Sequence, residues 1–142
     1  MDIFGRIKQP ADLLIFDNFD ESTFDIYNVS VSFTFETDTG LKKGYTRFSI
    51  SCFEIRNMVE LIGKRNFTSH IFKTILKDVV NGMCKIASGY DDSIPKPEKQ
   101  APFTPFDYME KHNIPIETLI HENCLRELYY KCTKIVNLVS GS

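Results

Sequence analysis

The ten residues Tyr27-Asn28-Val29-Ser30-Val31-Ser32-Phe33-Thr34-Phe35-Glu36 alternate apolar and polar side chains throughout. A period of two belongs to a β-strand, whose successive side chains point to opposite faces. It puts Tyr27, Val29, Val31, Phe33 and Phe35 on a buried face and the intervening residues towards solvent. Residues 37–44, with Asp38, Gly40 and Gly44, carry the chemistry of a hairpin connection. A second strand is predicted over 45–53, with Phe48, Ile50 and Cys52 facing one way. Phe24 and Ile26 have the opposite parity to Tyr27 and Val29, so a bulge or break is expected near Tyr27.

Beyond the hairpin the spacing becomes helical. Ile55, Met58, Val59 and Ile62 predict a short helix that Gly63 stops. Ile71, Phe72, Ile75, Leu76, Val79, Val80, Met83 and Cys84 form the stripe that a helix needs to cover a sheet. That helix is predicted over 68–87, with Thr68 or Ser69 as N-cap and Gly89 as stop; Gly82 inside it costs about 1 kcal/mol relative to alanine. Residues 88–105 contain Pro95, Pro97, Pro102 and Pro105 among charged side chains and read as a loop. Thr104-Pro105-Phe106-Asp107 supplies an N-cap, a first-turn proline and an acidic third residue for a short helix reaching about His112. Pro115 can open a last helix over 116–139. A hairpin followed by helices is the order of an α+β fold, here one domain over 1–142 in which C-terminal helices pack an antiparallel sheet.

Several chemistries are excluded by spacing. His121-Glu122-Asn123-Cys124-Leu125 begins like the zinc-protease motif but has leucine where the second histidine must stand. Glu117, His121 and Cys124 would share one face of the last helix, yet Cys124 belongs to its apolar stripe, so no metal is expected. The acid-rich residues 17–25 place Phe19 at a ligand position of a calcium loop and lack its glycine. The stretch from Gly40 to Thr46 misses phosphate-loop spacing, and no cofactor is expected. Residues 43–50 match the start of an RNA-binding strand motif, but Arg47 occupies the place of the stacking aromatic. Direct nucleic-acid binding is therefore not expected, nor is a membrane span, because no apolar run exceeds the four residues from Leu13 to Phe16. Cys52, Cys84, Cys124 and Cys132 form no C-x-x-C pair, and the chain opens without the basic and apolar regions of a secretory signal. Both features suit free thiols in the cytoplasm.

The net charge of −2 hides an uneven distribution. Residues 1–40 hold eight acids and two bases, whereas residues 41–80 hold eight bases and three acids. Asp12, Asp17, Asp20, Glu21 and Asp25 cluster with Phe16, Phe19 and Phe24. Two readings follow: a solvated edge that can pair with the chain's own basic helices, or a docking segment for a basic partner. In the second, Phe19 anchors and the carboxylates of Asp12, Asp17, Asp20, Glu21 and Asp25 steer. A catalytic use of Asp17, Asp20, Asp25 or His70 would require at least two of them to converge in a deep pocket.

In plan and size, the alternating strand at 27–36, the connection through Gly40 and Gly44, the strand at 45–53 and the helices after it resemble small cytosolic immunity proteins. Those proteins neutralise contact-dependent or other polymorphic bacterial toxins. One such family closes with an acidic stretch containing Trp; this chain has no Trp and ends Val136-Asn137-Leu138-Val139-Ser140-Gly141-Ser142. The resemblance implies a non-catalytic protein that binds a cognate toxin tightly, here a basic nuclease-type toxin, and blocks its active site or an essential surface. The alternative is a structural or adaptor accessory of a phage or mobile element, and a third reading is a small enzyme.

Overall fold

A computed structural model describes residues 3–20, 25–89 and 104–141. After a 3-10 turn at Phe4–Arg6 come three strands, β1 (Asp12–Asp20), β2 (Ile26–Thr37) and β3 (Gly40–Ser51). They form one antiparallel sheet in the order β1-β2-β3. Helices α1 (Cys52–Ile62), α2 (Lys64–Ala87), α3 (Pro105–Lys111) and α4 (Glu122–Ser140) follow, with a 3-10 turn at Ile116–Thr118. This is the α+β arrangement predicted from the order of elements.

The central strand keeps its register from Ile26 to Thr37 against β3 and from Ile26 to Thr34 against β1. No bulge interrupts it at Tyr27: Ile26 is the first residue of the strand and lies on the opposite face. The hairpin connection is shorter than the sequence implies, only Asp38 and Thr39. Thr37 pairs with Gly40, whose φ of 115° takes the turn's positive dihedral so that neither Asp38 nor Thr39 has to. Gly44 is therefore a mid-strand residue, not a turn residue.

Its role is to admit Phe33. A side chain on Gly44 would overlap the Phe33 ring and come within 2.8 Å of Ile86 Cδ1. On the far side, a Cβ at Gly82 of α2 would lie 3.1 Å from Phe33 Cζ. The ring, 2% exposed, is thus held in a slot between two glycines. The helix-propensity cost at Gly82 is offset by this packing; complete burial of such a side chain contributes roughly 1.5–3 kcal/mol.

Around the slot, α2 contributes Ile71, Ile75, Leu76, Val79, Val80 and Met83 to the core, and α4 contributes Leu125, Leu128, Cys132, Ile135 and Val136. Strand 45–53 ends two residues early because Ser51 caps α1, its side chain accepting from Glu54 N at 3.1 Å. The expected N-cap at Thr68 or Ser69 lies one turn inside α2, which starts directly after Gly63; Thr68 is buried there. Thr104 and Asp107 form the predicted capping box of α3, while most of the proline-rich loop, 90–103, lies outside the described residues.

The predicted helix over 116–139 is broken. Ala11 N–H donates to Leu119 O at 2.7 Å, and His121 N–H donates to Ala11 O at 3.1 Å. Residue Ile120 thereby forms a parallel bridge with Ala11 at the start of β1. Leu119 and Ile120 continue the apolar period of a helix, but here they close the edge of the sheet and are fully buried. One turn on, Cys124 Sγ accepts from Leu13 N at 3.3 Å, satisfying another donor on that edge.

Candidate binding surface

Strand parity sorts the sheet into two faces. Leu13, Ile15, Val29, Val31, Phe33, Phe35 and Ile50 point to the helices and are buried. On the outer face the ladder makes rows across the strands: Asp12–Thr34–Lys43, Leu14–Ser32–Tyr45, Phe16–Ser30–Arg47 and Asn18–Asn28–Ser49. Leu14 and Phe16 are each 64% exposed and Tyr45 is 61% exposed. Large apolar side chains thus flank a central stripe of Ser and Thr, with acids on the β1 side and bases on the β3 side.

A polar network stiffens this face. Asn28 is buried, and its Oδ1 accepts from Arg47 Nε at 3.3 Å, from Arg47 Nη2 at 3.0 Å and from Ser49 Oγ. Tyr45 donates its hydroxyl to Ser30 Oγ at 3.2 Å, so the ring leans from β3 over the central strand. Side chains fixed in this way lose less freedom on being covered than mobile ones do.

The six residues singled out as an acidic docking segment do not form one patch. Asp12 and Asp20 are exposed at opposite ends of β1, roughly 27 Å apart at strand rise. Asp12 also lies 3.5 Å from His121 Nε2. Asp17 has the opposite parity: it is only 16% exposed and meets Lys131 Nζ at 3.0 Å and Lys134 Nζ at 3.8 Å, both on α4. It therefore follows the intrachain reading of the acidic segment. Phe19 stacks on Tyr27 with ring centroids 4.9 Å apart. Asp25 is exposed, and its backbone carbonyl accepts from Cys52 N at 2.8 Å. Glu21 lies outside the described residues.

Burial raises the Asp17 carboxyl, but the hydrogen bond and charge of Lys131, with Lys134 and the residue's own backbone N–H, outweigh it. The net effect holds Asp17 below its ordinary value of 3.8. A lowered carboxylate stabilises the fold above the unfolded pKa and loses that contribution as pH falls through the folded one. Asp17→Asn is therefore expected to cost about 1 kcal/mol at pH 7, with solvent screening allowed for, and almost nothing near pH 2. Urea unfolding across that range checks this; a difference independent of pH would contradict it.

Other constellations do not assemble. Glu117 sits in the 3-10 turn and His121 precedes α4, so they do not share a helical face with Cys124. No group of three or more His, Cys, Asp or Glu that could hold a metal ion occurs among the described residues. His70 borders a small hollow of about 150 Å³ with Phe48, Glu54 and Met58, which none of Asp17, Asp20 and Asp25 lines. Burial pushes the Cys84 and Cys132 thiols up to about 12, which makes them core hydrophobes rather than nucleophiles. On the helical side, two open hollows of about 490 and 520 Å³ share Phe72 and Ile116. Among the described residues no helix is long and apolar enough to cross a membrane.

Comparison with known proteins adds no relative: no protein-family model matches the chain, and no curated protein or solved structure matches it significantly.

Sequence reasoning found Phe16 and Asp12 but missed the outer face on which they stand, and with it Leu14, Tyr45, Arg47 and Asn28. Burial alternates with a period of two over residues 12–16, but the sequence carries no matching signal. Leu13, Leu14, Ile15 and Phe16 are all apolar, so hydrophobicity does not alternate there.

Proposed function

We propose that this chain is a non-catalytic binding protein that docks a protein partner on the outer face of its sheet, and that the partner is a toxin it neutralises in the cytoplasm. The observation that carries the reading is the exposure of Leu14, Phe16 and Tyr45 in adjacent rows, braced by the Asn28–Arg47–Ser49 network. Aromatic and aliphatic anchors framed by charged groups are the composition of an interface centre and its rim. The docking surface is thus moved from the acidic segment as a whole to the outward half of β1 together with β3. With Asp12 on one side and Lys43 and Arg47 on the other, the face suits a partner of divided charge better than a uniformly basic one. The toxin role comes from the architectural resemblance, and the four free cysteines support a reducing compartment.

The test is co-expression with each neighbouring gene product whose expression alone arrests growth. The wild-type chain is expected to restore growth, and Phe16→Asp, which changes an exposed residue and leaves the fold intact, is expected to abolish protection. Protection retained in full by a folded Phe16→Asp variant would remove the outer face from the account. Absence of protection by the wild type would remove the toxin.

A further inference from the structure

The rows of the outer face are complementary to themselves. A two-fold axis lying along β2 in the plane between two stacked sheets preserves position along the strands and exchanges β1 with β3. Every row then meets its own mirror order: Asp12 faces Lys43 of a second copy, Leu14 faces Tyr45, Phe16 faces Arg47 and Asn18 faces Ser49. These are an ion pair, an apolar contact, a cation–π pair and a hydrogen-bonding pair. Each occurs twice, as two-fold symmetry requires. The central strand presents the small side chains of Ser32 and Thr34 to its copy, with Ser30 beneath the Tyr45 hydroxyl, in sheets stacked about 10 Å apart. Because twisted sheets have one hand, the same axis keeps their separation constant from corner to corner.

We infer that the outer face binds a second copy of this chain, forming a symmetric dimer through stacked sheets. The inference rests on the reading of that face as a docking surface and names an occupant for it in the absence of the toxin. The patch is three strands wide and about 27 Å long, and two copies would bury on the order of 1,000 Å² in total. That is the low end of specific interfaces, so a micromolar, exchangeable dimer is expected, one that a tighter partner displaces.

Sedimentation velocity over a concentration series, with circular dichroism to confirm folding, provides the test. The wild type is expected to associate in the micromolar range. Asp12→Lys sets lysine against Lys43, and Lys43→Asp sets aspartate against Asp12, so each alone should weaken association at least about tenfold. An equimolar mixture of the two variants restores both ion pairs in a heterodimer and should recover affinity to within about threefold of the wild type. The mixture also controls for the Asp12–His121 contact, which stays lost in the Asp12→Lys protomer of the heterodimer. A wild type that stays monomeric at several hundred micromolar, or a mixture no tighter than its components, would overturn the dimer. If Phe16→Asp still abolishes growth protection in that event, the docking face stands and only its second occupant is lost.

Discussion

Gly44→Ala is expected to destabilise the protein by about 3 kcal/mol, lowering the melting temperature on the order of 10 °C, although it adds one methyl group to a strand. In most strands that change would be favourable, since glycine is a poor strand former. Here the new carbon falls on the ring of Phe33 and close to Ile86. The ring cannot retreat, because α2 already passes it at Gly82 and the side chain is enclosed. A shorter side chain at the same position relieves the overlap, so Phe33→Leu should recover part of the loss. The pair should therefore show a coupling of more than 1 kcal/mol in a double-mutant cycle. Gly82→Ala offers the contrast: its 3.1 Å approach to Phe33 is tight but not an overlap, and alanine gains about 1 kcal/mol of helix propensity. Its net effect should be near zero. Chemical denaturation of the four variants decides the matter, and an additive cycle would contradict the slot.

What the sequence revealed about the fold depended on whether a face was uniform. β2 was legible because its inward side chains from Tyr27 to Phe35 are all apolar and its outward ones nearly all polar. β1 was not, since Leu14 and Phe16 point outwards beside the inward Leu13 and Ile15. The first half of β3 was hidden for the opposite reason. Its inward positions are Lys42, Gly44 and Thr46, and at Gly44 the Phe33 ring fills the space that an apolar side chain would occupy. The capping box at Thr104 could be read locally, whereas the break at Leu119–His121 could not: its cause is Ala11, more than a hundred residues away. The candidate site suffered from counting charges without faces. Asp17 and Asp20 are three residues apart and so of opposite parity: one is paired with α4 and the other stands on the outer side.

Coverage of the outer face makes the other large expected effect. Leu14, Phe16 and Tyr45 are among the more exposed apolar side chains of the molecule, but Phe53 on α1 and Tyr130 on α4 are equally open, at 72% and 68%. Exposure alone therefore does not single out the sheet. What does is that its aromatics lie in adjacent rows on either side of β2, framed by opposite charges, with Tyr45 braced by a hydrogen bond, so that one partner can cover Phe16 and Tyr45 together. A covered ring is shielded from solvent-borne reagents in proportion to the area removed, so oxidation at both positions should fall about fivefold when the face is occupied.

Hydroxyl-radical footprinting of the protein in its own cells, compared with dilute purified protein, measures this directly. Phe16 and Tyr45 are expected to be protected together in the cell relative to the dilute sample. Equal reactivity of Phe16 and Tyr45 in the two settings, whatever happens at Phe53 and Tyr130, would contradict it.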